Sequence, residues 1–125
     1  RQETMLAEAL ATTIRGPRRN GLFAAWLVLR CCGDVLATNC VSERGHRRRV
    51  DALEHRLHGL SLPPPLRRAL TGTLHQLREQ SPRKTSIALQ QLVAPVRETL
   101  GAGPGDAIAR AANVAQNRVR NARIG

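Results

Sequence analysis

The sequence has no tyrosine, one phenylalanine and one tryptophan, so aromatic side chains make up 2% of its 125 residues. That scarcity argues against β-sandwiches and barrels, whose pleated surfaces are filled by β-branched and aromatic side chains. It also weighs against a single-strand sequence reader built on aromatic stacking platforms. Long apolar runs are missing too. The longest, Leu22 to Cys32, is broken by Arg30 and falls short of the roughly 20 residues that span a bilayer. No charged, then apolar, then small-residue leader pattern is legible at the start, and the expected setting is cytosolic, without a membrane partner. Cysteines are few and odd in number: Cys31, Cys32 and Cys40. They include no C-x-x-C pair, so neither a disulfide framework nor a zinc ribbon is expected. Cys31 and Cys32 are expected to pack as small hydrophobes.

Acids are the remaining shortage. Nine Asp and Glu face 19 arginines and one lysine, Lys84, for a formal net charge of +11. A GC-rich genome accounts for arginine in place of lysine. It does not account for the missing acids, and an uncompensated positive charge on so small a chain attracts polyanions. The excess is uneven: residues 1–42 carry +2, residues 43–84 carry +6 and residues 85–125 carry +3.

What is present reads as helix throughout, and the expectation is one all-α domain over residues 1–125, a compact bundle of five to six short helices. A chain of this length buries about two-thirds of its unfolded surface and needs no disulfide or metal to hold a core. The first helix runs from Glu3 to Arg15, where Gly16-Pro17 stops it. Asn20 is placed as the cap of a second helix whose apolar residues cover nearly its whole circumference, making it the core helix, with Cys40 near its end. A third helix runs from about Arg44 to His58, with Gly59 as its stop. Ser61 is placed as the cap of a fourth, which opens on Pro63-Pro64-Pro65 and ends at Glu79. Ser81-Pro82 opens a fifth, kinked at Pro95, and Gly101 to Gly105 reads as a linker. A sixth follows, with a stripe of small residues from Ile108 through Ala111, Ala112, Ala115 and Val119 to Ala122. Short links imply antiparallel neighbours.

Chemistry-bearing patterns are thin. His55 and His58 read as surface residues, and with the three cysteines they do not make a converging metal set, so no metal or cofactor is expected. There is no G-x-S-x-G, and the carboxylates of Asp34, Asp51 and Asp106 fall on ordinary helix positions, so no catalytic residue is assigned. The glycines of 101–105 lack the preceding strand and the Lys-Ser/Thr ending of a nucleotide phosphate loop. Arg49 and His55 have five residues between them, and Arg68 and His75 have six. In this the chain resembles all-helical RNases whose sites pair an arginine with a histidine along a helix, but the resemblance covers the pair alone.

Three basic clusters carry the functional expectation. Arg44, Arg47, Arg48 and Arg49 crowd, with His46, the start of the third helix, where the helix dipole disfavours cations but favours a phosphate. Arg67 and Arg68 form the second cluster. Arg110, Arg118, Arg120 and Arg123 form the third, interleaved with Asn113, Asn117 and Asn121. Guanidinium groups grip phosphate bidentately, and asparagines donate to phosphate, sugar or base edges. The expectation is a non-enzymatic domain that contacts the backbone of nucleic acid without reading sequence. In size, helicity and charge the chain resembles the small helical subunits of CRISPR effector complexes, which implies a place in a nucleoprotein particle. The alternative is an adaptor that docks an acidic or apolar protein partner through its sixth helix.

Overall fold

The computed structural model describes residues 2–12, 16–37 and 42–124, with side chains from Glu3 to Asn121 within those ranges. They form six helices: α1 (Gln2–Thr12), α2 (Pro17–Leu36), α3 (Glu43–His58), α4 (Pro64–Leu77), α5 (Pro82–Leu100) and α6 (Ala102–Ile124). The architecture is the all-α bundle of short helices that the periodicity predicts. Thr13 to Arg15, expected to finish the first helix, and Cys40 lie outside the described residues, as do the side chains of Ala122 and Arg123. No helix among the described residues is long and apolar enough to cross a membrane.

Two side-chain caps form, of which only that of Ser81 is read from the sequence. Ser42 accepts from the Gly45 amide at 3.0 Å to start α3, and Ser81, followed by Pro82, accepts from Lys84 at 3.2 Å to start α5. Each satisfies one of the orphan donors of a first turn. Other junctions differ from expectation. The α2 helix starts at Pro17, so Asn20 is already inside its first turn and donates through Nδ2 to the Ser61 carbonyl at 3.2 Å. Pro63, not Ser61, holds the capping position of α4, which ends at Leu77 instead of Glu79. The supposed linker 101–105 is one residue long. Gly101 alone turns the chain, at φ 102° and ψ 176°, a region open essentially to glycine. The rest of that stretch is the first turn of α6, where Pro104 needs no donor. The α5 helix passes through Pro95 and continues to Leu100.

The core is leucine-rich. Ten of the twelve largest fully buried side chains are leucines and none is aromatic, which fits a helical interior filled by unbranched-at-Cβ side chains. Every other helix touches α2, which buries Leu22, Ala24, Ala25, Val28, Leu29, Cys31 and Cys32. The expected all-round burial is incomplete: Phe23, Trp26, Leu27 and Leu36 are only half-buried and Arg30 is exposed. The most extensive pairing is α5 with α6. A Cβ on Gly105 would lie 2.7 Å from Arg97 Cβ and 3.0 Å from its Cα, so this glycine sets how closely the two backbones approach. Ala107, Ile108, Ala112 and Ala115 of α6 are buried in the core.

Contacts along the helices fix their directions. Phe23 meets Arg56 and Asp34 meets Arg49, so α2 and α3 are antiparallel. His46 reaches Leu77 and Arg67 reaches Leu57, so α3 and α4 are antiparallel as well. Arg97 pairs with Asp106 across the α5–α6 turn at 3.0 Å. Met5 contacts Arg110, while Glu3 borders the same cleft as Arg118. One end of the bundle, here the upper end, therefore gathers the starts of α1, α3 and α5 and the finishes of α2, α4 and α6. The lower end gathers the reverse.

Candidate nucleic-acid interface

Arginine has two different employments at the two ends. Helices α1, α3 and α5 finish at the lower end, where their last carbonyls lack intrahelical donors and carry the negative end of the dipole. Basic side chains from other elements supply those donors. Arg19 donates to Leu10 O at 2.7 Å, Arg18 donates to Leu100 O, and Arg67 donates to Leu57 O at 3.1 Å and to Leu60 O. At the upper end His46 does the same for α4. It is buried, and its Nε2 donates to the Leu77 carbonyl.

This arrangement sorts the three sequence clusters. Arg67, half-buried with its guanidinium on α3 carbonyls, is a structural arginine, and its neighbour Arg68 faces solvent at the lower end. His46 leaves the first cluster for the core. The rest of that cluster is on the surface of the first two turns of α3: Arg44, Arg47 and Arg48 are exposed and Arg49 is half-buried. Arg47 pairs with Glu43 at 3.0 Å, with both side chains more than half exposed, and Arg49 pairs closely with Asp34 of α2. Surface pairs of this kind contribute about 0–1 kcal/mol and exchange readily for another anion. Among the described residues no carboxylate pairs with Arg44 or Arg48.

The third cluster divides. On α6 the exposed residues Arg110, Asn113, Asn117 and Arg120 recur every three or four positions and make one stripe, with Asn121 beside it. Arg110 lies partway along, with its Nη1 3.3 Å from Met5 Sδ. Arg118 and Arg120 reach the upper end. Helices α3 and α6 do not touch. The last turns of α2 connect them, because Asp34 pairs with Arg49 and also borders a cleft of about 280 Å³ together with Arg118 and Glu3. Arg83, in the first turn of α5, is a further exposed cation at the same end that sequence reasoning missed. Its signal was the one that singled out Arg44 to Arg49, a cation at the wrong end of a helix dipole.

Other side chains are poorly placed for chemistry. Burial pushes the thiols of Cys31 and Cys32 above their ordinary range, which suppresses the thiolate that attacks or ligates. Both are free thiols, packed in the core as small hydrophobes. No group of three or more His, Cys, Asp or Glu among the described residues can hold a metal ion. His55 and His58 are exposed, and Asp34, Asp51 and Asp106 each pair with an arginine. Arg49 is drawn toward α2 by Asp34, whereas His55 is six positions on, about 120° around the helix. Arg68 and His75 are both exposed and about two turns apart on α4. Compared with protein-family models, with curated proteins and with solved structures, the chain finds no match.

Proposed function

We propose that this protein binds the phosphate backbone of nucleic acid, without reading sequence and without catalysing a reaction, through the upper end of its helical bundle. The observation that carries the proposal is the set of exposed guanidinium groups gathered there, Arg44, Arg48, Arg83, Arg118 and Arg120, for which the described residues supply no ion-pairing carboxylate. Arg47 and Arg49 join when phosphate displaces Glu43 and Asp34. Arg110, Asn117 and Asn121 extend the contact along α6, with Arg123 on the same helix. Arg68 contributes only to a ligand that wraps to the lower end, and Arg67 is reserved for the fold. A reducing, cytosolic setting, and a place in a larger nucleoprotein particle, belong to the same proposal. The free thiols of Cys31 and Cys32 support the first.

The test is fluorescence anisotropy with mixed-sequence nucleic acid across a salt series. The Arg44→Ala/Arg48→Ala double variant is expected to weaken binding equally for all sequences. It should also flatten the slope of log affinity against log salt by about 1.8 on duplex DNA, since each phosphate left without its arginine takes about 0.9 from the slope. Unchanged affinity and slope in that variant would remove α3 from the interface, and failure of the wild type to bind at low salt would end the proposal.

The adaptor reading has one observation in its favour, the exposure of Ile87 and Val114, each at 42%. Of the small-residue stripe that suggested docking of the sixth helix, Ile108, Ala112 and Ala115 are buried inside the bundle and Ala111 and Val119 are half-buried. A partner retained at high salt would favour this reading, because apolar contacts are not screened.

A further inference from the structure

The chain's only two aromatic side chains sit half-buried at the edge of its leucine core and next to each other. Phe23 and Trp26, one turn apart on α2, have ring centroids 6.3 Å apart and planes inclined by 22°, a stacked pair. The guanidinium carbon of Arg30 lies 5.0 Å from the Trp26 ring centre, and that of Arg56, from α3, lies 4.9 Å from the Phe23 ring centre. The result is a continuous row, Arg30 to Trp26 to Phe23 to Arg56, across the α2–α3 face. Both arginines are exposed, both rings are half-buried, and no carboxylate among the described residues pairs with either arginine. Arg49 and Arg56 are two turns apart on α3, so this face continues the basic upper end.

We infer that the α2–α3 face is a single-strand site, at which unstacked bases meet Trp26 and Phe23 while Arg30 and Arg56 hold the flanking phosphates. A solvent-exposed arginine over a ring is held weakly, whereas a guanidinium–phosphate contact is charge-assisted and bidentate. An arriving phosphate therefore draws the guanidinium off the ring, and the ring face it leaves is free to stack on a base. Every base has such a face, so the site is indifferent to sequence. A duplex keeps its bases stacked inside and offers only phosphates to a convex helical surface. The inference rests on the phosphate-binding reading and deepens it by naming the strand state of the ligand.

Trp26 is the only tryptophan and there is no tyrosine, so intrinsic emission reports this face alone. Anisotropy of a labelled mixed-sequence single strand and of its duplex reads total binding, and a parallel titration with unlabelled strands reads Trp26 emission. Single strand is expected to quench Trp26 in step with the anisotropy rise, and duplex is expected to leave the emission unchanged. Phe23→Leu should lower single-strand affinity about ten-fold, in the range that one base stack supplies, with duplex affinity unaltered and a cooperative melt retained. Binding of single strand with Trp26 emission unchanged, or equal quenching by duplex, overturns the inference and leaves backbone binding standing. Absence of binding by either nucleic acid overturns both.

Discussion

The guanidinium of Arg67 donates to the carbonyl of Leu57 in the last turn of α3 and to that of Leu60 just beyond it, while that of Arg68, the next residue, faces solvent. Nothing in the sequence separates the two, because both follow the proline run that opens the fourth helix. Their environments separate them completely. Removing Arg67 strips donors from carbonyls carrying the dipole's negative end, and hydrogen bonds to charged groups contribute about 1.5–3 kcal/mol. Arg67→Met is therefore expected to lose about that much stability in denaturant unfolding, with Arg68→Met within about 0.5 kcal/mol of the parent. Equal effects would show that Arg67 does not cap α3. His46 belongs to the same class as Arg67. A histidine among arginines reads as part of a basic surface, yet helical spacing puts it on the face of α3 that also carries Val50 and Leu57, and it is buried with them.

At the scale of the element, helix interiors were legible and junctions less so. Apolar periodicity placed all six helices, and Ser81-Pro82 capped α5 as read, since a cap uses a side chain and an amide only three residues apart. The Gly101–Gly105 stretch misled for the same local reason: three glycines and a proline look like a break, although first-turn positions tolerate them. What those glycines do depends on the facing helix. Gly105 lies against the Arg97 backbone, whereas a Cβ on Gly72, exposed in the middle of α4, would meet nothing within 4 Å. Gly105→Ala is expected to push α5 and α6 apart and cost about 1–3 kcal/mol, the usual range for overpacking. Gly72→Ala should instead stabilise by about 0.5–1 kcal/mol through helix propensity. Thermal melts of the two variants should shift in opposite directions, and a stable Gly105→Ala would mean that the α5–α6 seam has room to spare.

For the whole molecule, the governing quantity is a net charge of +11 on 125 residues. Like charges repel over distances that salt screens, with a Debye length of about 10 Å at 0.1 M. Six ion pairs among the described residues oppose that repulsion but are themselves weakened by salt. Twenty cations against nine anions make repulsion the larger effect, so raising sodium chloride from about 0.01 to 0.15 M is expected to raise the melting temperature. A falling melting temperature would mean that the ion pairs dominate. The sequence by itself determined the helical class, the leucine core, the central place of α2 and the excess of arginine, because periodicity and composition are properties of the chain taken locally. Tertiary structure alone decided which arginines are free. It set Arg18, Arg19 and Arg67 on carbonyls at helix ends, gathered Arg44, Arg48, Arg83, Arg118 and Arg120 at one end, and set Arg30 and Arg56 over the only two aromatic rings. A guanidinium can meet a carbonyl, a carboxylate, a ring or a phosphate, and which of these it meets depends on neighbours that are distant in sequence.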